Sequence, residues 1–141
     1  MSGAIVGVVR AVDVDRNVLG ARLESCGTDP LTGFFRDGCC NTGPEDIGSH
    51  TVCVAVTAEF LGYQETVGND LTTARPEYGF PGLSPGDRWC VVAGRWLQAH
   101  EAGVAAPVVL ASTHMRVLEI VPIQILRAYA VDVPSDPGSI V

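Results

Sequence analysis

The apolar positions of the chain fall into short runs separated by turn-forming residues. Thr51 to Val56 reads Thr-Val-Cys-Val-Ala-Val, a continuous apolar run of strand length. Thr57 then suits a helix N-cap, and Phe60, Tyr63 and Val67 share one face of a helix that Gly68 ends. Trp89 to Ala93 is a second apolar strand, and Arg95 to Ala102 a short helix stopped by Gly103. Val108 to Ser112 forms a third strand, with Met115 to Val121 as its candidate partner. Pro122 fits a first helical position, and Ile125, Leu126 and Tyr129 make one stripe before Pro134 and Pro137 stop regular structure. At the other end, Ala4 to Val14 is rich in β-branched residues and is a candidate first strand.

The intervals carry turn chemistry. Asp29 and Pro30 suit the first two positions of a type I turn, and Gly33 allows a second bend. Asp37-Gly38 lies between Phe34-Phe35-Arg36 and Cys39-Cys40-Asn41 as a hairpin signal. Thr42 and Glu45 have capping-box spacing, with Pro44 inside and Gly48 beyond, which predicts one helical turn. Asn69 to Arg88 is longer than ordinary connections, and Tyr78, Phe80 and Leu83 argue that it is ordered. The sum is an α+β fold: a compact single domain with a small, mostly antiparallel sheet, two or three short helices and long ordered loops. The expected boundaries are an extension over residues 1–16, a globular domain over 17–130 and a loose tail over 131–141.

Charge narrows the partners. Sixteen acids face nine basic residues, all of them arginine, for a formal charge of -7. Such a surface repels phosphate backbones and anionic lipid, so neither nucleic acid nor a membrane is an expected partner. No window supplies the roughly 20 apolar residues of a membrane span. Met1 to Val14 lacks a basic leader region and carries Arg10 and Asp13, so it reads as mature protein in a cytoplasmic setting.

Five cysteines, an odd number with Cys39 and Cys40 adjacent, fit a secreted disulfide framework poorly and predict reduced thiols. A Cys39–Cys40 bridge would be strained, because neighbouring Cα atoms lie ~3.8 Å apart and disulfides want about 4.4 to 6.8 Å. Cys26, Cys39, Cys40, His50 and Cys53 are near in sequence but lack zinc-ligand spacing, so no metal site is expected. A thiol site would use Cys39 or Cys40 as nucleophile, His50 as base and Arg36 to orient an anionic group. Cys53 and Cys90, each within an apolar run, read instead as inert core thiols. A recognition surface would draw on Asp29, Asp37, Arg75, Glu77, Tyr78, Phe80, Asp87 and Arg88, where charge, aromatics and rigid backbone alternate. Ion pairing of Asp37 or Asp87 with an arginine is the plainer role for those acids.

Several segments carry a resemblance: Asn17-Val-Leu-Gly, Cys26-Gly-Thr-Asp-Pro-Leu-Thr-Gly-Phe-Phe-Arg-Asp-Gly-Cys-Cys, Ser49-His-Thr-Val-Cys, Arg75-Pro-Glu-Tyr-Gly-Phe-Pro-Gly-Leu and Pro85-Gly-Asp-Arg-Trp-Cys. They are similar to domain-of-unknown-function family 2237, over roughly Asn17 to Ala130. The resemblance implies a small, stand-alone, mostly prokaryotic protein whose long loop belongs to the domain. It carries no activity, cofactor, partner or catalytic residue across. Ligand binding and thiol chemistry at the joint of the 26–53 and 69–90 segments stand level, with a small molecule or a protein as partner. A protein-interaction or structural domain and a Cys/His metal protein are the alternatives.

Overall fold

The computed structural model describes residues 15–132. The candidate first strand at Ala4 to Val14 and all but the first two residues of the expected tail over 131–141 lie outside them.

Two strands form the centre, β1 (Val52–Ala55) and β2 (Arg88–Val91), paired antiparallel with Cys53 opposite Cys90 and Val54 opposite Trp89. Both match the apolar runs in the sequence. Side chains alternate across a strand, so Val52, Val54, Trp89 and Val91 enter the main core, while Cys53 and Cys90 join a second cluster with Cys26, Cys40 and Val109. Helix α1 (Ala58–Thr66) starts where Thr57 accepts a hydrogen bond from the Phe60 N–H, and it buries Phe60, Leu61 and Gln64. Helix α2 (Ala93–Glu101) packs beside it and buries Trp96, whose indole N–H donates to the Ala106 carbonyl at 2.9 Å. Helix α3 (Ile123–Ala128) follows Pro122, which sits at its N-cap, and buries Leu126. The architecture is the expected small α+β arrangement, with an antiparallel sheet of two strands and three α-helices among the described residues. No helix among them is long and apolar enough to cross a membrane.

Other expectations change. Val108 bridges to Val54 and to Ala130, but the chain then turns into a 3-10 helix at Leu110–Ser112 instead of continuing as a third strand. The Asp132 carboxylate takes the Leu110 and Ala111 N–H groups at 2.8 and 2.9 Å, donors that a strand ladder would need. Met115–Glu119 is likewise a 3-10 helix, not a pairing strand. Asp37-Gly38 turns without flanking strands: Asp37 accepts from the Cys39 N–H at 3.0 Å, and the Gly38 N–H donates to Thr32. Thr42 to Gly48 forms turns rather than a helical turn, because the Thr42 hydroxyl donates to the Asp46 carboxylate. The Thr28–Leu31 turn closes around a cis Asp29–Pro30 bond, which puts Pro30 at the second central position.

The largest correction concerns the thiols. Cys26–Cys53 and Cys40–Cys90 are disulfides, and Cys39 is the remaining free cysteine. Cys53 and Cys90 are buried as expected, but they are not inert thiols. Their shared register places them on the ribbon face that the 26–40 loop covers, and that loop brings each a partner. The adjacent pair is unbridged, as its geometry requires. Two glycines make the covering loop possible. Gly33 (φ +100°) has the Cys39 carbonyl where a Cβ would stand, and Gly38 (φ +88°) has Gly27 O and Thr28 Cγ2 each 3.1 Å from that position.

Candidate functional site

His50 lies just before β1, on a backbone turn held by a buried acid. The Asp46 side chain accepts from the His50 backbone N–H at 2.8 Å, from Thr42 Oγ1 at 3.0 Å and from His50 Nδ1 at 2.6 Å. Burial pushes the Asp46 carboxyl up, but the His50 hydrogen bonds and charge and the Thr42 hydroxyl outweigh it and hold the group below its usual range. Asp46 is therefore an ionised acceptor, which assigns the shared proton to Nδ1 and leaves Nε2 as the other polar atom of the ring. The imidazole is about one-third exposed, while the Asp46 side chain is fully enclosed. An orienting carboxylate behind a histidine that faces solvent is an arrangement suited to proton transfer.

The exposed side of His50 lines a cavity of about 240 Å³ together with Arg36, Asp70, Leu71, Arg75, Tyr78, Phe80 and Trp89. Arg36 has left-handed backbone (φ 55°), donates from Nη1 to the Gly33 carbonyl at 2.8 Å and lies 5.1 Å from the centroid of the Trp89 ring. Arg75 and Phe80 exchange backbone hydrogen bonds at 2.7 and 3.1 Å around the 3-10 turn Pro76–Tyr78, so the long loop presents both residues from a closed, ordered bend. Asp70 accepts from the N–H groups of Thr72 and Thr73, and the Thr73 side chain first, then these backbone bonds and the Thr72 hydroxyl, keep its carboxyl well below the ordinary range. Phe80 and Trp89 pack at 5.1 Å between ring centroids and form the apolar wall. A smaller recess of about 40 Å³ also touches His50, Leu71 and Trp89.

The model of the family described as "Uncharacterized protein conserved in bacteria (DUF2237)" matches residues 16–130. The chain belongs to this family. The match takes in every residue that lines the cavity and both disulfides, so the site lies within the part that defines a DUF2237 protein. No curated protein matches the chain.

Of the residues singled out by sequence, Arg36, His50, Arg75, Tyr78 and Phe80 meet at the cavity, which joins the 26–53 and 69–90 segments. Cys40 is fully buried in its disulfide and offers no free thiol, which corrects its candidacy as a nucleophile. Cys39 is half-buried and does not line the cavity. Burial, then the charges of Asp37 and Asp15, raise its pKa, the opposite of activation. Asp29, Glu77 and Arg88 also lie outside the lining. Asp37 and Asp87 serve turns, Asp37 accepting from Asn41 Nδ2 and Asp87 from the Ser84 N–H, and the ion pairs among the described residues are His50–Asp46 and Arg116–Glu119. Sequence reasoning missed Asp46, Asp70 and Leu71. The four-residue spacing from Asp46 to His50 was the available signal, hidden by the competing capping-box reading of Thr42 and Glu45.

Proposed function

We propose that the protein binds a small organic anion, with a carboxylate or phosphate group and a flat apolar body, in the cavity between the two loop segments. The carrying observation is the convergence of Arg36, Arg75 and His50 with Tyr78, Phe80 and Trp89 on one cavity in a chain of net charge -7. Guanidinium groups pair with planar anions, and the ring faces take the apolar part. A volume of about 240 Å³ suits a metabolite rather than a peptide.

The Asp46–His50 pair favours a second reading on the same site, in which Nε2 exchanges a proton with the bound molecule. The thiol-dependent reading ranks below both, because Cys39 is held protonated away from the cavity. A cytoplasmic setting is kept as a proposal, on the condition that the cysteines then face a reducing environment.

Titration of labelled protein with benzoate, phenylphosphate and benzyl alcohol, followed by NMR at the Trp89 indole, tests the binding. Both anions are expected to saturate a shift there and the neutral alcohol is not. Arg75→Gln is expected to weaken the anions by about tenfold, the loss of one charge-assisted hydrogen bond. Equal binding of the alcohol, or anion binding indifferent to Arg75→Gln and Arg36→Gln alike, would overturn the reading. His50→Gln separates the two readings, since it leaves both arginines in place and removes proton exchange.

A further inference from the structure

The second buried cluster holds four sulfur atoms from four separate places in the chain. Cys26 and Cys40 come from the covering loop, and Cys53 and Cys90 from directly opposed positions on β1 and β2. The Cys26 sulfur of one disulfide lies within 4.8 Å of both sulfurs of the other, Cys40 and Cys90, which are joined at 2.01 Å, and Cys53 Sγ is 2.06 Å from that of Cys26. Two disulfides are thus stacked side by side in one enclosed volume, each cysteine at most 2% exposed. A crosslinking role alone does not require that proximity. Four sulfurs around one zinc ion, at about 2.3 Å from it, stand about 3.8 Å apart. The Cys26 sulfur stands within 4.8 Å of Cys40 and Cys90 while the bonded pairs stand at 2.06 and 2.01 Å, so reaching that spacing needs the two sulfur bonds to open.

We propose that, when both disulfides are reduced, Cys26, Cys40, Cys53 and Cys90 form a closed tetrathiolate site for one zinc-type divalent cation. Each disulfide takes two electrons and two protons from a dithiol reductant, which leaves as its own disulfide. The resulting thiols give up their protons as their sulfurs bind the ion. The backbone at three of the four cysteines is held by hydrogen bonds that do not involve sulfur: the Cys53 N–H donates to Thr113 Oγ1 at 3.1 Å, the Cys90 N–H to Thr32 Oγ1 at 2.8 Å and the Cys26 N–H to the Gly38 carbonyl at 2.7 Å. Four protein ligands and full burial leave no open coordination position, so the ion's role is structural. It would hold the loop to the ribbon where a reducing environment opens the crosslinks. Cys39 and His50, near these cysteines in sequence, take no part.

The test uses the full chain reduced with dithiothreitol under argon and freed of reductant. Cobalt(II) titration is expected to give the intense visible bands of a tetrahedral tetrathiolate, saturating at one equivalent and unchanged in Cys39→Ser. In the wild type, zinc followed by iodoacetamide is expected to leave Cys39 alkylated and the other cysteines protected, read by peptide mass. That map needs no substituted cysteine, so it stands even where Cys53→Ser or Cys90→Ser does not fold. Absence of the cobalt bands, loss of them in Cys39→Ser, or alkylation of Cys90 or Cys53 at the rate of Cys39 would each overturn the proposal.

Discussion

The two faces of the β1–β2 ribbon are held by different means. One face, through Val52, Val54, Trp89 and Val91, meets helices that satisfy their own backbone hydrogen bonds and so are free to bury Phe60, Trp96 and Leu126. The other, through Cys53 and Cys90, meets a loop whose backbone is occupied by turns and which contributes hardly any apolar bulk; besides cysteine its cluster contains only Val109 among the described residues. Covalent bonds take the place of packing there. Irregular backbone can be fixed against a sheet without a conventional core, provided that the crosslinks arise at matched register positions.

The contrast is broken most severely on the helical face. Trp96→Ala is expected to cost about 3–5 kcal/mol in urea denaturation, because it empties a fully buried site and orphans the Ala106 carbonyl. On the other face, the double substitution Cys40→Ala with Cys90→Ala is expected to cost about 2–4 kcal/mol. A reductant should destabilise the wild type and spare this variant its share. An equal response of the two proteins to reductant would show that the crosslink does not carry the loop.

Gly38→Ala sharpens the comparison at smaller scale. The side chain must adopt φ +88° against Gly27 O and Thr28 Cγ2, with an expected cost of about 1–2 kcal/mol, the size of ordinary left-handed strain. Its effect should appear first as faster amide exchange over residues 25–40, while exchange in α1 and α2 stays unchanged.

The smallest effect concerns Asp46 and pH. Its folded-state pKa is depressed, so the stability that it contributes is present above the unfolded carboxylate value of about 3.9 and is lost as pH falls below it, through the folded value. Urea midpoints measured from pH 7 down to pH 3 should fall for the wild type, and less steeply for Asp46→Asn. Parallel slopes would remove Asp46 as the source of that dependence.

These particulars mark what the sequence could convey. β1, β2, α1 and α2 were legible because their signals are local: an apolar run, the Thr57 cap, a glycine after the last turn. The supposed third strand failed because a carboxylate more than twenty residues away, Asp132, claims the N–H groups of Leu110 and Ala111. The cysteine pairing was hidden for a related reason, since it depends on the β1–β2 register, which no short window contains. Five of the eight residues that line the cavity, Arg36, His50, Arg75, Tyr78 and Phe80, were visible as charged, histidine and aromatic loop residues. Asp46 was not, because only the folded turn reveals that a surface-type acid is enclosed behind His50.

The pairing order of the cysteines has a consequence for the integrity of the chain. Cys26–Cys53 and Cys40–Cys90 close rings that overlap, with residues 40–53 belonging to both. A single backbone cut anywhere between Cys26 and Cys90 therefore leaves the two fragments tied by at least one sulfur bond. Every residue that lines the cavity lies inside that span. In its oxidised form the molecule can be nicked by a protease beside the cavity without the two halves parting.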